Sequence, residues 1–182
     1  TNCQLNGTVR NWASVGGPNM GVMAIPHCFS GSFCNAINYI ADQFVYFKLF
    51  QNIIAPAGYF RDPAQLEKYA EDSVFLPYVN NEAGSDDDKA LVKSNFTSLN
   101  NILLVMFDHD TMIHPKETAW FQQMDTEGNV MELADTDFYN EDFIGLKEMM
   151  DAGKVIFNQI DGDHLQFSAA DITNTFVPFL LS

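Results

Sequence analysis

Two apolar runs in the second half of the chain constrain its fold more than any other feature. The first is NILLVMF, residues 101–107, and the second is KVIFNQI, residues 154–160. A continuous apolar run of this length predicts a strand buried on both faces, as strands are when helices cover both sides of a parallel sheet. Because helical patterns lie between the predicted strands, the sequence predicts an α/β fold with a mostly parallel sheet.

The first half of the chain contains one further strand signal and two helix signals. RNWASVGG (10–17) predicts a short strand that ends in a glycine turn. Residues 35–54 place apolar side chains on one broad helical face, which predicts a helix over that range. A second helix is expected to begin at Asp62. Asp62 is a suitable cap, Pro63 a first-turn proline and Gln65 a capping-box glutamine.

Capping signals also bound the later helices. The acidic turn at 81–90 is expected to lead into a helix that runs through Leu99. Gly153 predicts a helix C-cap just before the second apolar run. Ser168 and Asp171 predict a capping box that begins a last helix near the end of the chain.

Composition narrows the class of protein. A chain of 182 residues is long enough for one well-cored domain. Its 47% hydrophobic content, with 16 phenylalanines, predicts a packed globule. The net charge of −15 makes nucleic acids and anionic membrane surfaces poor partners. No apolar run approaches the roughly 20 residues that a membrane-spanning helix needs, so no membrane span is expected.

The cysteines and two sequons favour a protein of the secretory pathway. Cys28 and Cys34 bracket the loop CFSGSFC, which leaves a disulfide, a redox pair and a metal pair open. The spacing is too wide for a C-x-x-C motif, and no second Cys/His pair has a suitable spacing, which argues against zinc. Cys3 is left over, so its partner is expected outside these residues. Asn6 and Asn95 begin N-glycosylation sequons.

Each apolar run ends in an acidic turn, and the second turn contains a histidine. FDHD places Asp108 and Asp110 after the first predicted strand, and DGDH places Asp161 and Asp163 just before His164. Functional groups of open α/β sheets gather at the carboxyl ends of strands. An acid followed later by a histidine is the last part of the chain order Ser, Asp, His of a catalytic triad. In a triad the carboxylate orients the imidazole so that its other nitrogen takes a proton from a hydroxyl, and all four acids compete for that role.

Two other interpretations of these turns stay open. Together with His114, the acidic turns are compatible with a Ca²⁺ or other metal site, although they lack the regular spacing of a calcium-binding loop. They are also compatible with ordinary solvated turns, because aspartate and histidine are common after strands.

Five separated segments provide a more specific signal. In chain order they are SVGGPNMGVMAIPHC (14–28), YFRDP (59–63), FDHDTMIHPKETAWF (107–121), GLKEMMDAGKVIF (145–157) and DGDHLQFS (161–168). In order and spacing they resemble the palmitoyl-protein thioesterase family of α/β-hydrolases, from about residue 8 to the C-terminus. The resemblance implies an α/β-hydrolase fold in which Asp110 is the triad acid and His164 the triad base. It also implies that Cys28 pairs with Cys34 in a disulfide and that Cys3 has a partner further upstream.

The nucleophilic serine of the family has no counterpart in this chain. Family members have it in a G-x-S-x-G elbow upstream of these segments, whereas Ser30-Gly31-Ser32 in the cysteine loop lacks that frame. The oxyanion hole would also come from upstream parts. The chain thus resembles the C-terminal two-thirds of a mature thioesterase, and its opening, TNCQLNG, is typical of mid-protein sequence. We expect the serine to come from an N-terminal part outside this chain or from a second chain, unless the protein is a non-catalytic descendant.

The resemblance also implies a domain organisation, an activity and a lysosomal or secreted location. Residues 1–182 would be the C-terminal portion of one α/β-hydrolase domain, and about 22–100 an inserted helical region that binds the acyl chain. The implied reaction is hydrolysis of long-chain acyl thioesters on S-acylated cysteines, with acylated proteins or peptides as substrates and without a cofactor or metal. A lipase or carboxylesterase acting on oxygen esters and a non-catalytic lipid-binding homologue are the alternatives.

We predict that Cys28 and Cys34 form a disulfide in secreted material. The chain-entropy model assigns so small a loop only about 2 kcal/mol of stability, so its expected effect is to fix the entry to the inserted region. The peptide that contains both cysteines should resist alkylation until a reductant is added. Alkylation of both thiols in unreduced, secreted protein would contradict the prediction.

Overall fold

The computed structural model of the protein describes residues 9–24, 27, 31, 32, 35, 38, 44–53 and 55–182. The strands in this part of the chain are β1 Asn11–Val15, β2 Asn101–Phe107, β3 Gln123–Met124, β4 Val130–Met131 and β5 Val155–Ile160. The α-helices are α1 Lys48–Ile53, α2 Leu66–Asp72, α3 Leu76–Val79, α4 Asp86–Thr97, α5 Asp137–Asn140, α6 Leu146–Asp151, α7 Ala169–Asp171 and α8 Val177–Leu181. Shorter 3₁₀ turns are Ala55–Tyr59, Pro63–Gln65, Lys116–Trp120 and Leu133–Asp135, and a π-helical turn, Ile172–Phe176, joins α7 to α8. No helix of these described residues is long and apolar enough to cross a membrane.

β2 lies at the centre of a parallel sheet in the order β1-β2-β5. Its register places Asn101 opposite Asn11 on one side and Phe107 opposite Ile160 on the other. A tight hairpin cannot join parallel neighbours, so each connection crosses over through helices. β3 and β4 form a separate antiparallel pair. The prediction of an α/β fold with a mostly parallel sheet is confirmed.

Helices cover both faces of the sheet around β2. On one face Leu104 belongs to a buried cluster that includes Phe96 of α4. On the other face Leu103 belongs to a cluster that includes Phe179 of α8. Every residue from 102 to 107 is buried, as predicted for the first apolar run. The central strand therefore has the double-sided burial that a parallel sheet requires.

The second apolar run is only partly buried, which corrects the expectation for β5. Ile156 is 47% exposed and Phe157 is 38% exposed. Within the described chain β5 pairs only with β2, so it is an edge strand with one neighbour instead of two. Apolar composition does not distinguish a central strand from an edge strand, because that difference is set by the order of strands in the sheet.

The prediction of one continuous helix over 35–54 is wrong near the C-terminal end of that range. α1 begins at Lys48, and residues 45–47 form a turn before it. The buried amide of Gln51 donates from Nε2 to the carbonyl oxygens of Val45 and Ala57, at 2.8 and 2.9 Å. This side-chain contact satisfies the Val45 carbonyl and folds the chain back. Much of the earlier part of the predicted helix lies outside the described residues.

The predicted helix caps are observed, although one of the helices begins a few residues later than predicted. Asp62 accepts the N–H of Ala64 at 2.9 Å, as a cap should, but the turn that it caps is 3₁₀, and the α-helix begins only at Leu66. Ser168 and Asp171 form both bonds of the predicted capping box. Local capping bonds thus begin these segments even where the first turn is tighter than an α-helix.

Between β1 and β2 the regular secondary structure of the described chain is helical, apart from one isolated bridge between Val22 and Phe60. A separate buried cluster forms in this stretch from Val45, Tyr46, Ala57, Phe60, Tyr69 and Leu76. Helix α4 instead belongs to the cluster on the sheet, through Val92 and Phe96. Within the range 22–100, the described chain therefore has a small core of its own up to α3. Its last helix, α4, packs instead in the cluster on the sheet.

Candidate active site

The carboxyl ends of β2 and β5 bring the two acidic turns together. Phe107 and Ile160 are paired as the last residues of these strands. Backbone pairing continues beyond them, because the N–H of Asp108 donates to the Ile160 oxygen at 3.0 Å and the N–H of His109 to the Gly162 oxygen at 3.0 Å. The turn after β2 and the turn after β5 therefore lie side by side.

Asp110 and His164 form a carboxylate–imidazole pair across these turns. Oδ2 of Asp110 lies 2.8 Å from Nδ1 of His164. The side chain of Asp110 is 2% exposed and that of His164 is 22% exposed. The second carboxylate oxygen, Oδ1, accepts the backbone N–H groups of Met112 and Ile113, each at 2.8 Å. These bonds fix the carboxylate, so that it can fix the orientation of the ring in turn.

Two competing acids of the same turns have other partners. Asp108 accepts a hydrogen bond from Nε2 of Gln159, and its backbone oxygen accepts from Nζ of Lys116 at 2.7 Å. Asp161 lies 2.9 Å from Nε2 of His109, in a pair whose carboxylate is 87% exposed and whose imidazole is 71% exposed. So exposed a pair contributes little to stability. Among the hydrogen bonds of the described chain, none joins either acid to the imidazole of the central pair.

Asp163 supports the histidine from its backbone side. Its Oδ1 accepts the backbone N–H of His164 at 2.7 Å and that of Thr111 at 2.8 Å. The hydroxyl of Thr111 lies 2.9 Å from each of the two carboxylate oxygens. The N–H of His164, followed by the donors of Thr111, holds the pKa of the Asp163 carboxyl below its usual value. This acid joins the two turns without touching the ring.

Phe107 and Gly16 pack against the imidazole of His164. The ring centroids of Phe107 and His164 are 6.2 Å apart. Gly16 follows β1 with a φ of +63°, and a Cβ at this position would lie 3.2 Å from Cε1 of His164 and 3.0 Å from Cε2 of Phe107. The backbone conformation favours glycine, and a Cβ would in addition force the adjacent rings to shift by a few tenths of an ångström. Within the described chain no hydrogen bond reaches Nε2 of His164, the nitrogen that the carboxylate does not hold.

The remaining residues singled out from the sequence fall into two groups. Those outside the described residues are Cys3, Asn6, Cys28, Ser30 and Cys34. Among the described ones, Ser32 is exposed and Asn95 is half-buried near the end of α4. Burial lowers the pKa of His114, the histidine of the alternative metal site. No group of three or more His, Cys, Asp or Glu side chains in the described chain is arranged to hold a metal ion.

The fold and this pair define a class of protein. The α/β-hydrolases have their triad acid and then their triad histidine in turns that follow parallel strands. This chain has the same order, with Asp110 after β2 and His164 after β5. Its parallel sheet, covered by helices on both faces, is that of an α/β-hydrolase.

Comparison with known proteins identifies the family. The profile of the family described as Palmitoyl protein thioesterase matches residues 1–164. Palmitoyl-protein thioesterase 1 of Caenorhabditis elegans is 35% identical over 94% of this chain and 58% of its own length. Palmitoyl-protein thioesterase 3 of Dictyostelium discoideum is 30% identical over 96% of this chain and 61% of its own length. Lysosomal thioesterase PPT2-B of Xenopus laevis is 32% identical over 69% of this chain and 43% of its own length.

The chain therefore belongs to the palmitoyl-protein thioesterase family. It spans about three-fifths of the length of the Caenorhabditis and Dictyostelium relatives, 58% and 61%.

Sequence reasoning did not single out Gly16 or Thr111 as site residues. The double glycine of SVGG signals a turn after β1, but nothing local shows that the first glycine packs on a ring from the end of the chain. Thr111 directly follows Asp110, and a hydroxyl beside a candidate catalytic acid is a signal that could have been used. Its partner, Asp163, comes from the other turn, so only the folded chain shows the contact.

Replacing Gly16 by alanine should displace the adjacent rings and destabilise the protein. Gly153 is the matched control, because it also has a positive φ, +69°, but a Cβ there would meet no atom within 4 Å. Both substitutions place alanine in the left-handed region, at about 1–2 kcal/mol each. Only Gly16→Ala adds overpacking, about 1–3 kcal/mol more. Urea unfolding measures both losses, and equal losses for the two variants would contradict the predicted contact.

Proposed function

We propose that this protein hydrolyses long-chain fatty acyl thioesters and so releases the acyl group from S-acylated cysteines of proteins or peptides. The observation that supports this most directly is the 2.8 Å contact between Asp110 Oδ2 and His164 Nδ1. Relatives named palmitoyl-protein thioesterase and lysosomal thioesterase support a thioester as the bond that is cleaved. Such a reaction needs a general base, a carboxylate that orients it and a nucleophile.

In the proposed mechanism His164 is the general base and Asp110 orients its ring. Nε2 takes the proton of a serine hydroxyl while the serine oxygen bonds to the carbonyl carbon of the thioester. The C–S bond then breaks, and Nε2 gives the proton to the departing sulfur. In the second half-reaction, water gives a proton to Nε2 and bonds to the same carbon, and the serine oxygen leaves with that proton. The products are a free thiol and a fatty acid, and no cofactor or metal ion takes part.

We place the nucleophilic serine in an N-terminal part of the protein, upstream of Thr1. This chain contains no G-x-S-x-G motif, and two relatives are longer than the segment that it matches. Nε2 of His164, which no hydrogen bond reaches within the described chain, is available to that serine. A second chain that contributes the serine is the alternative source.

An apolar cavity of about 400 Å³ is the proposed site for the acyl tail. Its lining includes Trp12, Phe75, Leu76, Val79, Phe96 and Leu99. Gly17 also lines the cavity and is the neighbour of Gly16, which packs on the ring of His164. Each buried methylene contributes about 0.8 kcal/mol, so a long acyl chain would bind mainly through its tail.

We propose a lysosomal location, reached through the secretory pathway, with secretion as the alternative. A relative from Xenopus laevis is named a lysosomal thioesterase, and Asn6 and Asn95 begin glycosylation sequons. The lowered pKa of Asp163 suits an acidic compartment. Because its pKa is lower in the folded state, its contribution to stability is fully present above the unfolded pKa, about 3.9, and is lost only as the pH falls through the folded value.

Asp110→Asn should lower the turnover of the full-length protein on the order of 10⁴-fold. The amide keeps an oxygen for the N–H groups of Met112 and Ile113 but presents its NH₂ to Nδ1, which favours the wrong imidazole tautomer. Asp108→Asn and Asp161→Asn are the matched controls, since each removes one charge from the same two turns, and they should cost far less. The measurement is kcat with a palmitoyl thioester. Equal losses in all three variants would refute the assignment of the acid.

A serine-directed fluorophosphonate should label the full-length protein upstream of Thr1, because only an activated serine reacts readily. His164→Ala should abolish the labelling, and peptide mapping of the adduct locates the serine. Label on Ser30 or Ser32 would show instead that the nucleophile lies in this chain.

The same preparation should cleave an acyl thioester faster than an oxygen ester of equal chain length, and the reverse preference would favour a lipase or carboxylesterase.

A further inference from the structure

Thr111 joins three segments that meet at the candidate active site. Its backbone N–H and its hydroxyl reach the carboxylate of Asp163 at 2.8 and 2.9 Å. Its backbone oxygen accepts the N–H of His27 at 2.8 Å. Thr111 directly follows Asp110, and Asp163 directly precedes His164. The contact therefore joins the neighbour of the candidate acid to the neighbour of the candidate base.

Asp163 also fixes the backbone of His164. One carboxylate oxygen accepts the N–H of His164 at 2.7 Å and the N–H of Thr111 at 2.8 Å, so it receives a donor from each turn. This shared oxygen leaves the two backbones little freedom to move apart. The same donors, led by the N–H of His164, lower the pKa of Asp163, so the carboxylate stays charged in mildly acidic surroundings.

Apart from the packing of Phe107 and Gly16 on the ring, few contacts in the described chain hold the candidate base against the acid. The backbone bonds between the turns stop at the pair His109–Gly162, before either residue of the acid–base pair. The imidazole itself is 22% exposed, and one hydrogen bond of 2.8 Å joins it to Asp110. A displacement of about 1 Å would lengthen this bond beyond useful range, and misplacements of that size cost on the order of 10²-fold in rate.

We infer that Thr111 and Asp163 are positioning residues, whose mutual contact sets the distance between Asp110 and His164. The inference rests on the proposed function and deepens it. Neither residue touches the reacting atoms. Asp163 therefore has a task different from that of the triad acid, and Thr111 acts through it.

Thr111→Val tests this role in the full-length protein, because it removes the hydroxyl and keeps the backbone N–H and the size of the side chain. We expect kcat for a palmitoyl thioester to fall about tenfold and KM to stay within about twofold, since ring alignment changes and substrate contacts do not. Thr111→Ser restores a hydroxyl and should bring kcat back to within about twofold of wild type. Asp161→Asn is the control, because this exposed acid of the same turn bonds only His109 among the described residues.

A second readout does not depend on turnover. Long-range ¹H–¹⁵N correlation spectra show which nitrogen of an imidazole has the proton. The wild-type protein should show a single His164 tautomer, protonated at Nδ1. The Thr111→Val variant should show a mixture of the two tautomers. A wild type that does not hydrolyse acyl thioesters, with a tautomer mixture in Thr111→Val, would refute the proposed function and support the positioning role.

Several outcomes would overturn the positioning role. One is an active wild type with unchanged kcat and a single tautomer in Thr111→Val, and another is a loss that Thr111→Ser does not reverse. Unchanged spectra in an inactive protein would refute both proposals. Should Thr111→Val fail to fold, Asp163→Asn gives the same test: a tautomer mixture with reduced kcat supports the role, and wild-type values refute it.

Discussion

Parallel pairing of β2 with β5 is the interaction on which the candidate site depends. The register that places Phe107 opposite Ile160 makes neighbours of the residues that follow each strand, and two backbone bonds extend that register into the turns. A slip by one residue would turn the side chains of β5 to the opposite face and separate the two turns. β2 is able to hold this register because residues 102–107 are buried between helices on both sides. The geometry of the acid–base pair is thus a consequence of strand packing.

Burial and hydrogen-bond donors assign different tasks to acids that are chemically identical. Asp110 is 2% exposed, and three donors surround its carboxylate, two from the backbone and one from the imidazole. A buried carboxylate with fewer partners would be costly, so the donors and the burial require each other. Asp161 remains in solvent with a histidine partner, where its charge costs little. Asp163 accepts N–H groups from both turns, which suits it to hold the two turns together.

The helical stretch between β1 and β2 serves two purposes in the proposed function. Its first part has a separate buried cluster, whereas α4 packs on the sheet with Phe96. The apolar cavity lies between these two parts, lined by residues of α3, α4 and β1. Binding of an acyl tail would then depend on one set of side chains and cleavage of the thioester on another. Because apolar burial has no preferred direction, the tail supplies affinity while the polar pair supplies chemistry.

The sequence alone determined those features of the protein whose signals are local or continuous along the chain. They include the apolar run that forms β2, the capping box of Ser168 and Asp171, and membership of the palmitoyl-protein thioesterase family. Only the tertiary structure decided that β5 lies at an edge of the described sheet, that the chain turns at 45–47, and that Gly16 packs on the candidate base. The position of β5 and the packing of Gly16 depend on partners distant in the chain, whereas the turn at 45–47 depends on the side chain of Gln51, six residues from Val45. A hydrogen bond or ring contact between distant residues leaves no periodic pattern in the sequence. Such a contact can be identified only when folding has brought the strands into register.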